Sequence, residues 1–199
     1  MKKTFLIITL SLFAALRVFA SGESFFTPEI SLGTGVSIYD DKASTARKVI
    51  LDRSDYKRII AGLTADTNLN ISEPIKVIFG AEAFCDFLWI KGSYYHTTDY
   101  AFFSGIKIFP GVQGLNFSIA YTLGNRTDFF SYYDEEEDTT IKKNDSKSWG
   151  NGFRLGIQYD FMEDRDYKVK PQVGVYYRCI PRGNYNTDHI LSIYGGIRF

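Results

Sequence analysis

The chain alternates apolar and polar residues with a period of two through eight separate stretches, the pattern of strands whose two faces meet different environments. In the first stretch Ile30, Leu32, Val36 and Ile38 oppose Ser31, Gly33, Gly35 and Ser37. The second sets Ile59, Ala61, Leu63 and Ala65 against Arg58, Gly62, Thr64, Asp66 and Asn68. In the third, Val77, Phe79, Ala81, Ala83, Cys85, Phe87 and Trp89 face away from Lys76, Gly80, Glu82 and Asp86, with Ile78, Phe84 and Leu88 interrupting the polar side. The fourth places Tyr100, Phe102, Ile106 and Ile108 against Ala101, Gly105 and Lys107. The fifth and sixth are the cleanest. Leu115, Phe117, Ile119, Tyr121 and Leu123 oppose Asn116, Ser118, Ala120, Thr122 and Gly124, and Trp149, Phe153, Leu155, Ile157, Tyr159 and Phe161 oppose Gly150, Gly152, Arg154, Gly156, Gln158 and Asp160. The seventh sets Val169, Val173, Val175, Tyr177 and Cys179 against Lys170, Gln172, Gly174, Tyr176 and Arg178. In the eighth, Leu191, Ile193, Ile197 and Phe199 alternate with Ser192, Tyr194, Gly196 and Arg198.

Connection lengths alternate too. Residues 70–74, 110–114 and 162–166 form short links, whereas 40–56, 91–98, 125–148 and 181–188 are longer and more polar. No apolar face carries an ionised residue, and a charge facing mid-membrane lipid costs roughly 2–4 kcal/mol. Aromatics gather toward the stretch ends: Trp89, Tyr100, Trp149 and Tyr177 at one level, Phe79, Phe117, Phe161 and Phe199 at the other. Two such bands fit the girdles of a membrane barrel. The pattern therefore predicts an all-β fold, an eight-stranded antiparallel up-and-down transmembrane β-barrel with short periplasmic turns and longer extracellular loops. A sheet in hydrocarbon must close, because no water is there to satisfy an open edge.

Lys2 and Lys3, an apolar run from Phe5 to Leu16, and Val18-Phe19-Ala20 form the three parts of a cleavable export signal. The run is too short to span a bilayer, which takes roughly 20 residues. Residues 1–20 are accordingly expected to be removed and 21–199 to form one barrel domain. The 23 basic and 23 acidic residues cancel, which leaves no electrostatic footprint for nucleic acid.

The last stretch, ending on the aromatic Phe199 with Ile197, Ile193 and Leu191 on the same face, resembles the C-terminal assembly signal of bacterial outer-membrane barrels. Together with the eight alternating segments, this makes the chain similar to the small barrels of the OmpA transmembrane domain, OmpX and OmpW class; no internal motif selects a subfamily. The resemblance implies residence in the outer membrane, contact with its lipid, and insertion by the outer-membrane assembly machinery through the terminal strand. A monomer is expected.

Eight strands enclose a lumen that side chains can fill. Glu82, Asp86, Lys107, Arg154, Asp160 and Lys170 are candidates for a packed ion-pair network there. Simple hairpins set Asp160 opposite Lys170 and Glu82 near Lys107, with a slip of two residues allowed. A sharper alternative makes Glu82 and Arg154 a gate that exchanges partners to open a narrow conduit. Cys85 and Cys179 sit on outward faces half a barrel apart, too far for a disulfide, and are expected as free thiols. Only His96 and His189 could act as bases. His189 and Ser192, three apart in a strand, point to opposite faces, so neither a lipid-modifying hydrolase nor a metal site is expected. No cofactor is implied.

Specificity is expected in the outer loops. The longest holds Phe129, Phe130, Tyr132 and Tyr133, then five consecutive acids, Asp134, Glu135, Glu136, Glu137 and Asp138, then Lys142, Lys143 and Lys147. Tyr94 and Tyr95 are expected at the tip of the second loop. Exposed aromatics offer rigid contact area, while the acids are either a solvated run or takers of Ca²⁺ or Mg²⁺. The reading that results is a structural or surface-binding, adhesin-like barrel. Its alternatives are a narrow porin or an OmpW-like conduit for small apolar molecules, favoured by Ile78, Phe84, Leu88, Phe103 and Tyr176 on the inward faces.

Overall fold

The computed structural model describes residues 26–39, 45–72, 74–134, 138–161, 168–182 and 187–199. The expected signal segment 1–20, the acids Glu135, Glu136 and Glu137, and the 162–166 turn lie outside them. The described residues form nine strands: β1 (Phe26–Tyr39), β2 (Lys57–Ser72), β3 (Ile75–Ile90), β4 (Ser93–Ile108), β5 (Leu115–Asp134), β6 (Thr139–Ser146), β7 (Gly150–Asp160), β8 (Lys170–Pro181) and β9 (Thr187–Arg198). A short helix, α1 (Thr45–Leu51), lies between β1 and β2. Every pairing is antiparallel, and β9 returns to pair with β1. Eight strands close the barrel, β6 being the extra one. It pairs only with the upper end of β5, from Thr127↔Ser146 to Asp134↔Thr139.

The stagger of the barrel can be counted. Cross-strand partners lead from Pro28 through Thr67, Phe79, Ser104, Tyr121, Phe153, Cys179 and His189 back to β1 at Ile38, ten residues further along. A hydrogen-bonded rung therefore climbs about one and a quarter residues per strand, consistent with the tilt of roughly 35–45° that closure requires. Side chains that meet across the lumen are set by this climb and not by neighbouring register.

The apolar faces point outward. Leu32 is 67 % exposed, Tyr121 57 % and Ile193 55 %, while Ser31, Thr64, Gln158 and Ser192 are buried inside. A contiguous apolar wall of this extent has no place in water; it is a surface for lipid.

Two loop expectations are corrected. The connection expected over 91–98 is a two-residue turn, because Tyr94, His96 and Thr98 continue one strand face and Tyr95, Thr97 and Asp99 the other. Gly92, at φ 84°, supplies the left-handed backbone that closes it. The 125–148 connection is chiefly a hairpin of strands, since aromatic and β-branched residues from Thr127 to Tyr133 carry β5 onward.

Candidate functional site

Charged and polar side chains fill the lumen from end to end. Near the periplasmic end, Glu29 accepts from Lys107 Nζ at 2.9 Å and from Asn68 Nδ2 at 2.6 Å. Asp160 pairs with Arg198 at 2.5 Å, and Gln158 donates to Asp160 at 2.6 Å while accepting from the Tyr194 hydroxyl at 3.0 Å. At mid-height Glu82 receives Arg178 at 2.8 Å and Arg154 at 3.3 Å. The Arg154 guanidinium lies between the rings of Tyr176 and Phe103, 4.2 and 4.6 Å from their centroids, a stacking that strengthens a desolvated cation. Arg178 continues upward to Asp99 at 2.6 Å, and Asp99 meets Arg182 at 3.1 Å. Arg182 and Arg126 both bind Asp188, and Arg126 also reaches Asp128 at 3.2 Å. Beside them Asp86 holds Arg58 at 2.7 Å and accepts from Ser37 at 2.6 Å.

All six sequence candidates except Lys170 sit buried in the barrel. Lys170 lies at the inner rim opposite Arg198, beside Lys76, Lys168 and Phe199. The pairings expected from hairpin register differ from those observed. Asp160 stands opposite Gln172 instead of Lys170, a slip of two residues. Lys107 stands opposite Lys76 and bonds Glu29 across the lumen, not Glu82. The climb accounts for both long-range pairs. Along the rung, Arg154 leads through Ala120 and Gly105 to Ile78; adding about four residues over three strands brings Glu82 level with Arg154. The same step brings Glu29 level with Lys107. Arg58, Arg178 and Arg198 also belong to the network and sit on the polar faces already assigned, where only the stagger shows their acid partners; Glu29, Asp99, Arg126, Asp128, Arg182 and Asp188 belong too, each beyond the ends assigned to the alternating stretches. Extending each alternation by two to four residues would have found them.

Above the lumen the wall continues as a sheet. Ile50 of α1 is fully buried against Leu88 and Tyr95, with Ile90, Phe130 and Tyr132 packed around them. This apolar cluster packs the helix against the inward side of β3, β4 and β5 at the extracellular end, and Arg47 of the same helix reaches Asp86 at 3.7 Å. Tyr95 is therefore not an exposed loop tip: only 1 % of it is accessible, because its strand face turns inward. Phe130 and Tyr132 are partly buried for the same reason, whereas Phe129 and Tyr133 are exposed on the outer side. Tyr94 faces outward, its ring 4.8 Å from that of His96. Lys147, just past the end of β6, donates to Asp145 at 2.9 Å and holds that carboxyl below its usual range. Asp138 accepts from the Tyr133 hydroxyl.

His189 and Ser192 are held apart by the wall. The imidazole Nδ1 shares a hydrogen bond with the Tyr177 hydroxyl at 2.7 Å, while the buried Ser192 hydroxyl donates to the Thr34 carbonyl at 3.1 Å. Cys85 and Cys179 are free thiols, on strands β3 and β8 at opposite sides of the barrel. Cys179 is more covered than an outward residue usually is, lying between Phe153 and His189 on the neighbouring strands.

No protein-family model matches the chain, and no curated protein does. Solved structures do. Ail, the attachment invasion locus protein of Yersinia pestis, superposes with a TM-score of 0.59 at 12 % identity over 87 % of this chain and 98 % of that one. The same protein in complex with the heparin analogue sucrose octasulfate gives 0.58 at 11 % identity, over 87 % and 99 %. Neisserial surface protein A is also similar, at 0.45 and 12 % identity over 89 % and 98 %. The chain has the fold of the small eight-stranded outer-membrane barrels. With its lipid-facing wall, that fold locates the chain in the bacterial outer membrane.

Proposed function

We propose that this barrel is a surface-binding protein of adhesin-like character, with the β5–β6 hairpin as its contact element. The observation that carries the reading is the length of β5. Its upper eight residues, from Thr127 to Asp134, leave the barrel register with β7 and pair instead with β6. The result is a sheet standing above the rim, with Phe129 and Tyr133 exposed on one side and the far edge of β6 paired with no strand among the described residues. An open edge offers unpaired backbone donors and acceptors to an extended segment of another protein. Exposed aromatic rings add rigid contact area. The likeness to Ail, an attachment protein by name, is in keeping with this reading.

The conduit reading has less support, since paired charges occupy the lumen and the Ile50 cluster packs at its extracellular end. No gate is inferred for Glu82 and Arg154, because Arg178 holds Glu82 at the same time. A lipid-modifying activity has no support from the separated His189 and Ser192. The terminal strand β9, with Leu191, Ile193, Ile197 and Phe199 outward, is proposed as the element handed to the assembly machinery.

The test is adhesion by cells displaying the chain. Ile141→Pro removes a ladder donor opposite Tyr132, and Phe129→Ser with Tyr133→Ser removes the exposed rings. Loss of attachment to immobilised host-surface protein, with the barrel still folded by heat-modifiable gel mobility, is expected. Unchanged attachment in both variants would overturn the binding role and leave a structural one.

A further inference from the structure

The outward wall carries a groove that the proposed function does not use. Cross-strand register aligns Lys57, Trp89 and Tyr94 on one rung and Ile59, Phe87 and His96 on the next. Ile59, Phe87, Trp89, Tyr94 and His96, with Ile90, Gly92 and Ser93 at the turn above them, line an open groove of about 650 Å³, and Lys57 stands at its border on the Trp89 rung. Its aromatic side is fixed by contact: His96 stands edge-on to Phe87 at 5.0 Å and beside Tyr94 at 4.8 Å. Below, Ala61, Ala83 and Cys85 keep the wall low.

The stagger sets the height of this groove. The rung from Gly150 runs through Gly124 and Ala101 to Glu82. A climb of about four residues over three strands brings Asp86 and Phe87 level with Gly150 and its neighbour Trp149. Trp149 packs on Tyr100 at 5.5 Å and is half exposed, as an interfacial anchor should be. The groove thus opens at the outer-leaflet interface, where headgroups give way to acyl chains.

Two cations frame it. Lys57 shares the top rung with Trp89, and Lys91 occupies the turn directly above. Both are exposed at its border, and the described residues that line the groove carry no carboxylate. An apolar slot under a pair of ammonium groups matches a molecule with an anionic head and a hydrocarbon tail. We infer that this groove binds an outer-leaflet lipid bearing a phosphate headgroup, the phosphate on Lys57 and Lys91 and one acyl chain against Phe87, Trp89 and Ile59.

Trp89 makes the inference measurable, since the chain has only two tryptophans. The Trp149→Phe variant is refolded into phosphatidylcholine vesicles doped with either phosphatidic acid or phosphatidylcholine carrying the same brominated chains. Bromine quenches Trp89 when a labelled chain occupies the groove. A basic side chain at the surface favours an anionic lipid by about fivefold, so phosphatidic acid is expected to quench at severalfold lower mole fraction. Adding Lys57→Gln and Lys91→Gln is expected to make the two curves coincide. The Trp89→Phe variant, which reports from Trp149, is expected to show no such preference. Equal quenching of Trp89 by both lipids, or a preference that survives both lysine substitutions, would overturn the site. None of these readouts depends on adhesion.

Discussion

Arg178 is the group on which the lumen network turns, and Arg178→Met isolates its contribution. The guanidinium is 1 % accessible and binds Glu82 at 2.8 Å and Asp99 at 2.6 Å. Truncating it leaves two buried carboxylates short of a partner. Breaking a buried ion pair costs about 3–5 kcal/mol, most of it the penalty of the stranded charge. Glu82 keeps Arg154 at 3.3 Å and Asp99 keeps Arg182 at 3.1 Å, so the lower half of that range, about 3 kcal/mol, is expected. Reversible urea unfolding in lipid vesicles, followed by gel mobility and tryptophan emission, measures it. Removing the charges together separates pairing from packing. The double variant Arg178→Met, Asp99→Asn is expected to recover about half of the loss, because Glu82 keeps Arg154 and Arg182 keeps Asp188, so no charge is stranded. Stability of Arg178→Met within about 1 kcal/mol of the parent, the range of an exposed pair, would refute the view that these charges are dry and mutually required.

Other substitutions probe other parts of the argument. Gly174→Val places a side chain where a Cβ would stand 2.4 Å from the Tyr194 hydroxyl; overpacking of this kind costs about 1–3 kcal/mol, read from the same urea curves. Ile157→Arg puts a charge on the lipid face of a residue that is 53 % exposed and is expected to cost roughly 2–4 kcal/mol, with no loss if the wall faces water. Ile50→Asp is expected to release α1 from Leu88 and Tyr95, seen as rapid protease cleavage between β1 and β2 while the barrel core stays intact. Cys85 and Cys179 are expected to leave monomer mobility unchanged on reduction in a denaturing gel.

The wall of this barrel was legible from the sequence, and its stagger was not. Alternation is a local property, so each strand announces its lipid face through residues two apart, as Leu115, Phe117 and Ile119 do. Stagger is a property of closure. It appears only when β9 meets β1, and it decides that Glu82 meets Arg154 and Arg178 while Lys107 meets Glu29. The outer connections misled for a different reason. Polar composition was read as loop over 91–98 and 125–148, yet Tyr94 to Asp99 and Thr127 to Tyr133 keep the two-residue period of a strand. From the outer interface upward the outward face meets headgroups or water and the inward face meets ion pairs or a small cap, so polarity no longer distinguishes strand from loop there. Periodicity still does.

The same change of surroundings divides the molecule by task. Within the membrane an inward charge is costly unless it is paired, and pairs run from Arg198 and Asp160 below to Arg126 and Asp188 above. Such a filling fixes the barrel from inside. Beyond the rim the constraint lifts. There β5 and β6 carry on as a sheet with Phe129 and Tyr133 exposed on its outer side, the element proposed to take a partner. The groove by Trp89 sits at the border between the two regimes, where an apolar wall and exposed lysines coexist. A quenching preference at Trp89 but not at Trp149 would show that this border distinguishes among lipids and is more than a girdle.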